Sequence, residues 1–119
     1  MTRAKDAVGA YGERVAVRYL IEQGMVLLDR NWRCPAGELD AILRDGDVVV
    51  FAEVKTRRGN AFGTPAEALV RAKMVRLRRA AALWLAQAGV RPREVRFDVV
   101  SVLARQAGPA RVEHLRGAF

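Results

Sequence analysis

The stretch GELDAILRDGDVVVFAEVK, residues 37–55, decides the fold of this chain because it holds two strand-like segments around a tight turn. The segments ELDAIL (38–43) and VVVFAEVK (48–55) are mostly apolar and rich in residues that favour strands. Between them, Asp45-Gly46 is a strong signal for a two-residue hairpin loop. We therefore predict an antiparallel hairpin with its loop centred on Asp45-Gly46.

The centre of this hairpin fixes which residues of the two strands face each other. The predicted pairs are Arg44 with Asp47, Leu43 with Val48, Ile42 with Val49, Asp40 with Phe51 and Glu38 with Glu53. Side chains alternate along a strand, so one face is predicted to carry Glu38, Asp40, Glu53 and Lys55, and the other Leu39, Ala41, Val50, Ala52 and Val54. Asp40 and Glu53 become diagonal neighbours, roughly 7 to 8 Å apart at the backbone, which lets both carboxylates reach one ion.

Carboxylates gathered at the end of a buried strand are costly unless a cation compensates them. Mg²⁺ (or Mn²⁺) suits this position, because it is a hard cation that takes oxygen ligands and commonly binds through one or two carboxylates. Lys55, one strand step from Glu53, is placed to orient an attacking water or to stabilise charge on a phosphate. The alternative is that Glu53 and Lys55 only pair with each other, or with Arg33 and Glu38, at an exposed end of the sheet.

Outside the hairpin, hydrophobic periodicity and stop signals predict two helices and further strands. In chain order these are a helix over 7–22 ended by Gly24, a short strand over 25–29, a helix over 64–89 begun by a capping box of Thr64 and Glu67, a strand over 95–103 and an edge strand over 111–115. The order is thus helix, three strands, helix, and one or two strands.

Length and charge bound the kind of protein and partner. The 119 residues suffice for a single domain, 1–119, with one core of moderate size. Lys and Arg total 21 against 13 acids, a net charge of +8, which favours a polyanionic partner such as nucleic acid. The alternatives are an arginine-rich solvated surface, an anionic membrane surface, or a basic face that meets an acidic partner protein.

Cysteine content and hydropathy indicate the compartment. The single cysteine, Cys34, can form no internal disulfide, which suits a reducing compartment. The longest apolar run, 80–86, is far below the roughly 18 residues of a membrane span, and the charged first residues do not form a targeting segment. We expect a cytoplasmic protein with no membrane partner.

The combination of Asp40, a hairpin and the Glu53-x-Lys55 pair resembles the active-site signature of the PD-(D/E)xK nuclease superfamily. Within it, GELDAILRDGDVVVFAEVKTR, with GERVAVRYLIEQG upstream and RFDVVSV downstream, resembles the YraN-like family of bacterial proteins, itself similar to archaeal Holliday junction resolvases. The likeness covers almost the whole chain, although Leu39 stands where the superfamily name has proline. It implies an α/β, restriction-endonuclease-like αβββαβ core with a mixed central sheet flanked by helices.

The resemblance also implies a site. Its catalytic residues are Asp40, Glu53, Lys55 and Glu13, and Asp40, Glu53 and Glu13 hold Mg²⁺ or Mn²⁺. The first helix supports this, because Glu13 lies on a stripe with Ala16, Val17 and Leu20 that is expected to meet the sheet. The alternative is that Glu13 tilts to solvent and pairs with Arg14 or Arg18. Three roles remain open for Glu38: a second metal ligand, an acid that contacts the ligands without binding the metal, or a partner for Arg33.

Basic residues near this site are candidates for phosphate contacts. They are Arg57 and Arg58, which follow the Glu53-x-Lys55 strand, and Lys73 and Arg76 of the second helix. Trp84, on the apolar stripe of that helix, is predicted to be core rather than a platform for bases. The expected function is metal-dependent endonucleolytic hydrolysis of DNA, branched or junction DNA included, by a protein that the resemblance suggests is a homodimer. The alternative is a non-catalytic nucleic-acid-binding module with the same fold.

Overall fold

The computed structural model describes residues 7–58 and 71–119, which form two helices and five strands. The elements are α1 (Ala7–Glu22), β1 (Val26–Cys34), β2 (Gly37–Asp45), β3 (Val48–Arg58), α2 (Arg71–Ala88), β4 (Glu94–Ala104) and β5 (Arg111–Leu115). The predicted α/β class with an αβββαβ order is confirmed. Within the described ranges, neither helix has the length and apolar character needed to cross a membrane.

The five strands form one mixed sheet in the order β1-β2-β3-β4-β5. Three of the neighbouring pairs are antiparallel, whereas β3 and β4 run parallel over their whole length. A parallel pair needs a crossover connection, and α2 lies in the connection between these two strands. The sheet therefore has β3 at its centre, with β1 and the predicted edge strand β5 at its borders.

The first strand is longer than predicted, whereas the helices end where predicted. The strand after α1 was expected over 25–29, but β1 continues to Cys34, through the polar segment RNWRC. This segment lies at the edge of the sheet, where half of the side chains face water, so it lacks the apolar signal that marks a buried strand. The capping box of Thr64 and Glu67 lies outside the described residues. The predicted ends of the two helices, before Gly24 and Gly89, are confirmed.

The hairpin between β2 and β3 is present, but its loop lies one residue further along than predicted. Asp45 pairs with Val48, so the two loop residues are Gly46 and Asp47. Gly46 has a φ of +61° at the first loop position, where a type II′ turn requires glycine. The predicted register is therefore wrong by two positions on the partner strand: Leu43 pairs with Val50 instead of Val48. Because the shift is an even number, it does not by itself move a side chain to the other face of the sheet.

Two hydrophobic clusters cover the two faces of the sheet. The first joins α1 to one face through Ala16, Val17 and Leu20, which pack on alternate residues of β2, β3 and β4. The second joins α2 to the other face and contains Leu77, Ala80, Ala81, Trp84, Phe51 and Phe97 among its members. Below, these are called the α1 face and the α2 face of the sheet.

Candidate functional site

The strands β2 and β3 part at Asp40. Their paired register runs from the hairpin loop to the pair of Ala41 and Ala52. Beyond it, the backbone N–H of Val54 donates a hydrogen bond of 2.9 Å to Oδ2 of the Asp40 side chain. The Asp40 carboxylate thus lies between β2 and β3, in the space that backbone hydrogen bonds would fill if the paired register continued.

Three carboxylates meet at this gap. Glu13, Glu38 and Asp40 each offer an oxygen within 4.8 Å of the others. Glu13 is buried, with 6% exposure, while Glu38 and Asp40 are half-buried. A cluster built from carboxylate oxygens alone suits a hard cation such as Mg²⁺ or Mn²⁺ rather than a metal that prefers nitrogen or sulfur ligands. We call these three residues the acidic cluster.

Glu13 reaches the sheet because α1 approaches it closely. Its neighbour Gly12 lies against Thr56 of β3, and a Cβ at position 12 would overlap the threonine side chain. The apolar stripe of α1 places Glu13 on the buried side of the helix, together with Ala16 and Leu20. The structure therefore favours the sheet-facing position over the solvent-facing one that the sequence left open.

Glu38 has two kinds of neighbour. Its carboxylate forms an ion pair of 2.9 Å with the Arg33 guanidinium on the neighbouring strand, and it also belongs to the acidic cluster. Two of the three roles considered for this residue, partner of Arg33 and member of a metal site, are thus compatible with one position.

Glu53 lies beside the acidic cluster, but its ion-pair partner comes from α2, the helix on the α2 face of the sheet. Its side chain hydrogen-bonds Asp40 and forms an ion pair with Lys73 of α2. Burial, followed by the charge of Asp40 and the hydrogen bond with it, raises the pKa of Glu53 to about 7, against the opposite effect of Lys73. Glu53 consequently carries less than a full negative charge near neutral pH, a state that a bound cation would change.

The predicted division of side chains between faces is wrong at one place. Leu39 was assigned to the same face as Ala41, yet Leu39 packs in the cluster of the α2 face and Ala41 in that of the α1 face. The alternation is therefore interrupted at Asp40, whose carboxylate enters the gap towards Glu13. Glu53 follows Phe51 onto the α2 face. The predicted polar residues therefore do not share one face; Glu38, Asp40 and Glu53 converge where the strands separate.

The remaining candidates lie on β3 and α2, the two elements that carry Glu53 and Lys73. Lys55 is exposed and, within 7–58 and 71–119, takes part in no ion pair. Arg57 and Arg58 end β3, and Arg76 is exposed on α2 one helical turn beyond Lys73. Lys73 was predicted as a phosphate contact, and in the structure its ammonium group is engaged by Glu53.

A second polar network was not predicted. The fully buried carboxylate of Asp98 accepts hydrogen bonds from Arg96 at 2.9 and 3.0 Å and from the Gly117 backbone at 3.0 Å, and it lies 2.8 Å from His114 Nε2. Arg96 also pairs with Asp45 at 3.2 Å. The available signal was the R-x-D spacing, since residues two apart on a strand share a face.

Fold and site together define an α/β protein with a mixed sheet and a carboxylate cluster where two central strands part. The chain belongs to Uncharacterised protein family UPF0102, whose family model matches residues 12–102. This is the YraN-like family that the sequence resembles.

Relatives align over nearly their entire lengths. The chain is 63% identical over 115 residues to a UPF0102 protein of Beutenbergia cavernae, which covers 97% of this chain and 98% of the relative. It is 60% identical over 117 residues to one of Frankia alni, with 98% of each covered, and 58% identical over 116 residues to one of Kineococcus radiotolerans, with 97% and 95% covered.

Proposed function

We propose that this protein is a metal-dependent endonuclease that hydrolyses phosphodiester bonds in DNA. The observation that carries the proposal is the acidic cluster, three carboxylates within 4.8 Å at a gap that also borders Glu53. Carboxylates brought this close repel one another unless a cation compensates them, and such clusters are how proteins hold the ions that assist phosphoryl transfer.

The residues present fit Mg²⁺ or Mn²⁺. Asp40 and Glu13 would hold the ion, with Glu38 or Glu53 as a further ligand. When bound, such an ion lowers the pKa of a coordinated water and neutralises charge on the phosphate. The backbone N–H of Val54 fixes the orientation of Asp40, so this carboxylate is positioned before any ligand arrives.

The basic residues supply binding and orientation of the substrate. Arg57, Arg58 and Arg76 offer guanidinium groups to phosphate oxygens, to which they donate bidentate hydrogen bonds. Lys55 extends from the same strand as Glu53 and is exposed, which suits a side chain that orients a water or stabilises charge on a phosphate. Because these contacts go to the backbone of DNA, they favour recognition of shape over base sequence.

The test is cleavage of purified linear and branched DNA in the presence of Mg²⁺ or Mn²⁺. Asp40→Asn keeps the shape of the side chain and removes its charge, so we expect the cleavage rate to fall at least about 100-fold. Asp47→Asn is the matched control, since Asp47 is exposed in the hairpin loop at the opposite end of β2 and β3. Equal rates for wild type and Asp40→Asn would exclude this function.

A second candidate function is nucleic-acid binding without turnover. The ion pair between Glu53 and Lys73 favours it, because the ammonium group already compensates the carboxylate that catalysis would use. In this case DNA binding persists in Glu53→Gln, and neither metal ion supports cleavage by the wild-type protein. The same purified proteins, tested by gel shift and by cleavage, separate the two functions.

A further inference from the structure

Both tryptophans of the chain line one pocket. Trp32 of β1 and Trp84 of α2 border a cavity of about 230 Å³, together with Asp29, Gln87 and Ala88. The pocket lies between the edge strand and the last turn of α2, on the α2 face of the sheet. Nothing in the proposed cleavage site uses these residues.

The walls of the pocket are held in place. Trp84 is only 6% exposed, as predicted for a core residue, and its ring meets Phe51 edge to face at 5.9 Å. Its Nε1–H donates a hydrogen bond of 3.1 Å to Oδ2 of Asp29. Oδ1 of Asp29 accepts the backbone N–H of Arg30 at 2.8 Å. A carboxylate offers about four acceptor positions, so Asp29 retains acceptor capacity for a ligand.

The backbone of β1 is irregular at this pocket. The register with β2 shifts between Leu27 and Asp29, and Asn31, next to Trp32, has a φ of 52°. Bulges reorient side chains, and a non-glycine residue in the left-handed region is uncommon in a strand. Both irregularities border a residue that lines the pocket, and such features concentrate at functional sites.

We propose that this pocket binds a single unpaired base of a nucleic-acid strand, with a preference for bases that present an amino group. The proposal rests on the proposed function only in taking nucleic acid as the partner. A volume below the roughly 300 Å³ of drug-sized sites suits one flat ring system. Splayed bases are recognised by stacking on aromatic rings and by hydrogen bonds to their edges.

The polar wall decides which base fits. Asp29 accepts hydrogen bonds only, which matches the amino group of cytosine, whereas thymine presents two carbonyl oxygens around a single N–H. Gln87 at the rim adds both a donor and an acceptor. Exposed Arg30 lies two residues before Trp32 in the sequence, and a basic side chain near an aromatic one is a combination that binds single strands.

The pocket and the acidic cluster share neighbouring strands but lie towards opposite faces of the sheet, since the pocket is on the α2 face and Glu13 belongs to α1. Trp32 pairs across the sheet with Leu39, which lies between Glu38 and Asp40. One strand spacing, about 4.8 Å, thus separates the backbone that carries the indole from the backbone that carries the carboxylates. A base held here would therefore lie on the α2 face, with β2 between its pocket and Glu13.

The experiment is tryptophan fluorescence with single-stranded oligodeoxycytidine and oligothymidine of equal length, in EDTA so that no cleavage is needed. Because both tryptophans line the pocket, their emission reports its occupancy. We expect oligodeoxycytidine to quench the emission with a Kd at least about fivefold lower than that of oligothymidine, the factor that one hydrogen bond of about 1 kcal/mol gives. Equal affinities, or binding that leaves the emission unchanged, would overturn the proposal.

Variants locate the effect, with binding measured by anisotropy of labelled oligonucleotides. Trp32→Ala should raise the Kd for oligodeoxycytidine about tenfold through lost stacking, and Trp32→Phe should restore most of the affinity. Asp29→Asn should abolish the preference for cytosine over thymine. Tyr11→Ala, which removes an exposed aromatic ring of α1 outside the pocket, is the control and should change neither.

The outcomes distinguish this proposal from the endonuclease function. Metal-dependent cleavage without base-selective quenching would support the endonuclease function and contradict base binding in the pocket. Base-selective quenching without cleavage would support base binding in the pocket and contradict the endonuclease function. If Trp32→Ala does not fold, the comparison of the two oligonucleotides with the wild-type protein still decides.

Discussion

Asp98 is a charged side chain with no exposure to solvent, and its neighbours explain how it is tolerated. Burial by itself would raise the pKa of this carboxyl group. Hydrogen bonds from His114, Arg96 and the Gly117 backbone, with the charge of Arg96, outweigh burial and lower the pKa to about 2. In turn, the hydrogen bond with Asp98 is the main reason that the pKa of Arg96 is raised.

This shift predicts how the free energy of unfolding depends on pH. The pKa is depressed in the folded state, so the stabilisation is complete above the ordinary value of 3.8 and is lost as the pH falls towards about 2. We expect Asp98 to account for about 2 kcal/mol of the loss over that range. Urea unfolding at several pH values measures it.

Asp98→Asn is the comparison that isolates this group from the other carboxylates. The variant should be less stable at neutral pH, because Arg96 loses its charged partner, and its stability should change less between about pH 4 and about pH 2. If wild type and variant show the same pH dependence, the depressed pKa is contradicted.

Single residues also show which parts of the candidate site the sequence can predict. Glu13 was suggested by the family resemblance, and its place on an apolar helical stripe supported a sheet-facing position without excluding a solvent-facing one. For Glu38 the sequence left three roles open, and only the folded structure shows that it both pairs with Arg33 and joins the acidic cluster. Asp98 was missed for the same reason: its hydrogen-bonding partners include a backbone N–H 19 residues away.

At the scale of elements, the contact between α1 and β3 controls where Glu13 lies. Gly12 lets the helix approach Thr56 without a side chain between them. In an open helical position, replacing glycine by alanine stabilises a protein by about 0.5–1 kcal/mol. At this contact we expect the opposite sign, because the added methyl group overlaps Thr56.

Gly12→Ala should therefore destabilise the protein by about 1–3 kcal/mol, the cost of overpacking, when measured by urea unfolding. If the protein is the proposed endonuclease, cleavage should fall as well, because Glu13 moves with the helix. Arg14→Ala, at an exposed position of the same helix, is the control and should change stability by less than about 0.5 kcal/mol. A Gly12→Ala variant that is more stable than wild type would show that α1 does not lie close enough to Thr56 of β3 for the added methyl group to clash.

The elements differ in how far local sequence determines them. The hairpin was predictable from its turn signal, yet the loop register depended on which loop position the glycine takes, and Gly46 takes the first. The face of Leu39 was not predictable, because strand alternation ends where β2 parts from β3. The second half of β1 was missed because an edge strand is half solvated.

At the scale of the whole molecule, the net charge of +8 predicts salt-dependent binding to DNA. If Arg57, Arg58 and Arg76 each neutralise one phosphate while Lys73 stays paired with Glu53, the logarithm of the association constant should fall with the logarithm of salt concentration with a slope of about −2.7. Anisotropy titrations of labelled duplex DNA at several salt concentrations, in EDTA, give this slope.

Arg76→Gln tests whether the proposed face makes the contacts. The slope should become shallower by about 0.9, because one counterion fewer is released. Arg91→Gln removes the same charge from an exposed position outside the predicted set and should leave the slope close to its wild-type value. Equal slope changes in both variants would mean that DNA binding depends on the net charge of the protein and not on the position of Arg76, which would contradict the proposed face.

The hairpin at the centre of the sheet has two unlike ends. At the loop end, Asp45 is bound by Arg96 of β4 and by Arg116 beyond β5, so ion pairs tie β2 to β4 and to the segment after β5. At the other end the two strands diverge around a carboxylate. Because ion pairs hold the loop end, we expect any change in the spacing of β2 and β3 to occur at the diverging end, which is where the proposed ion would bind.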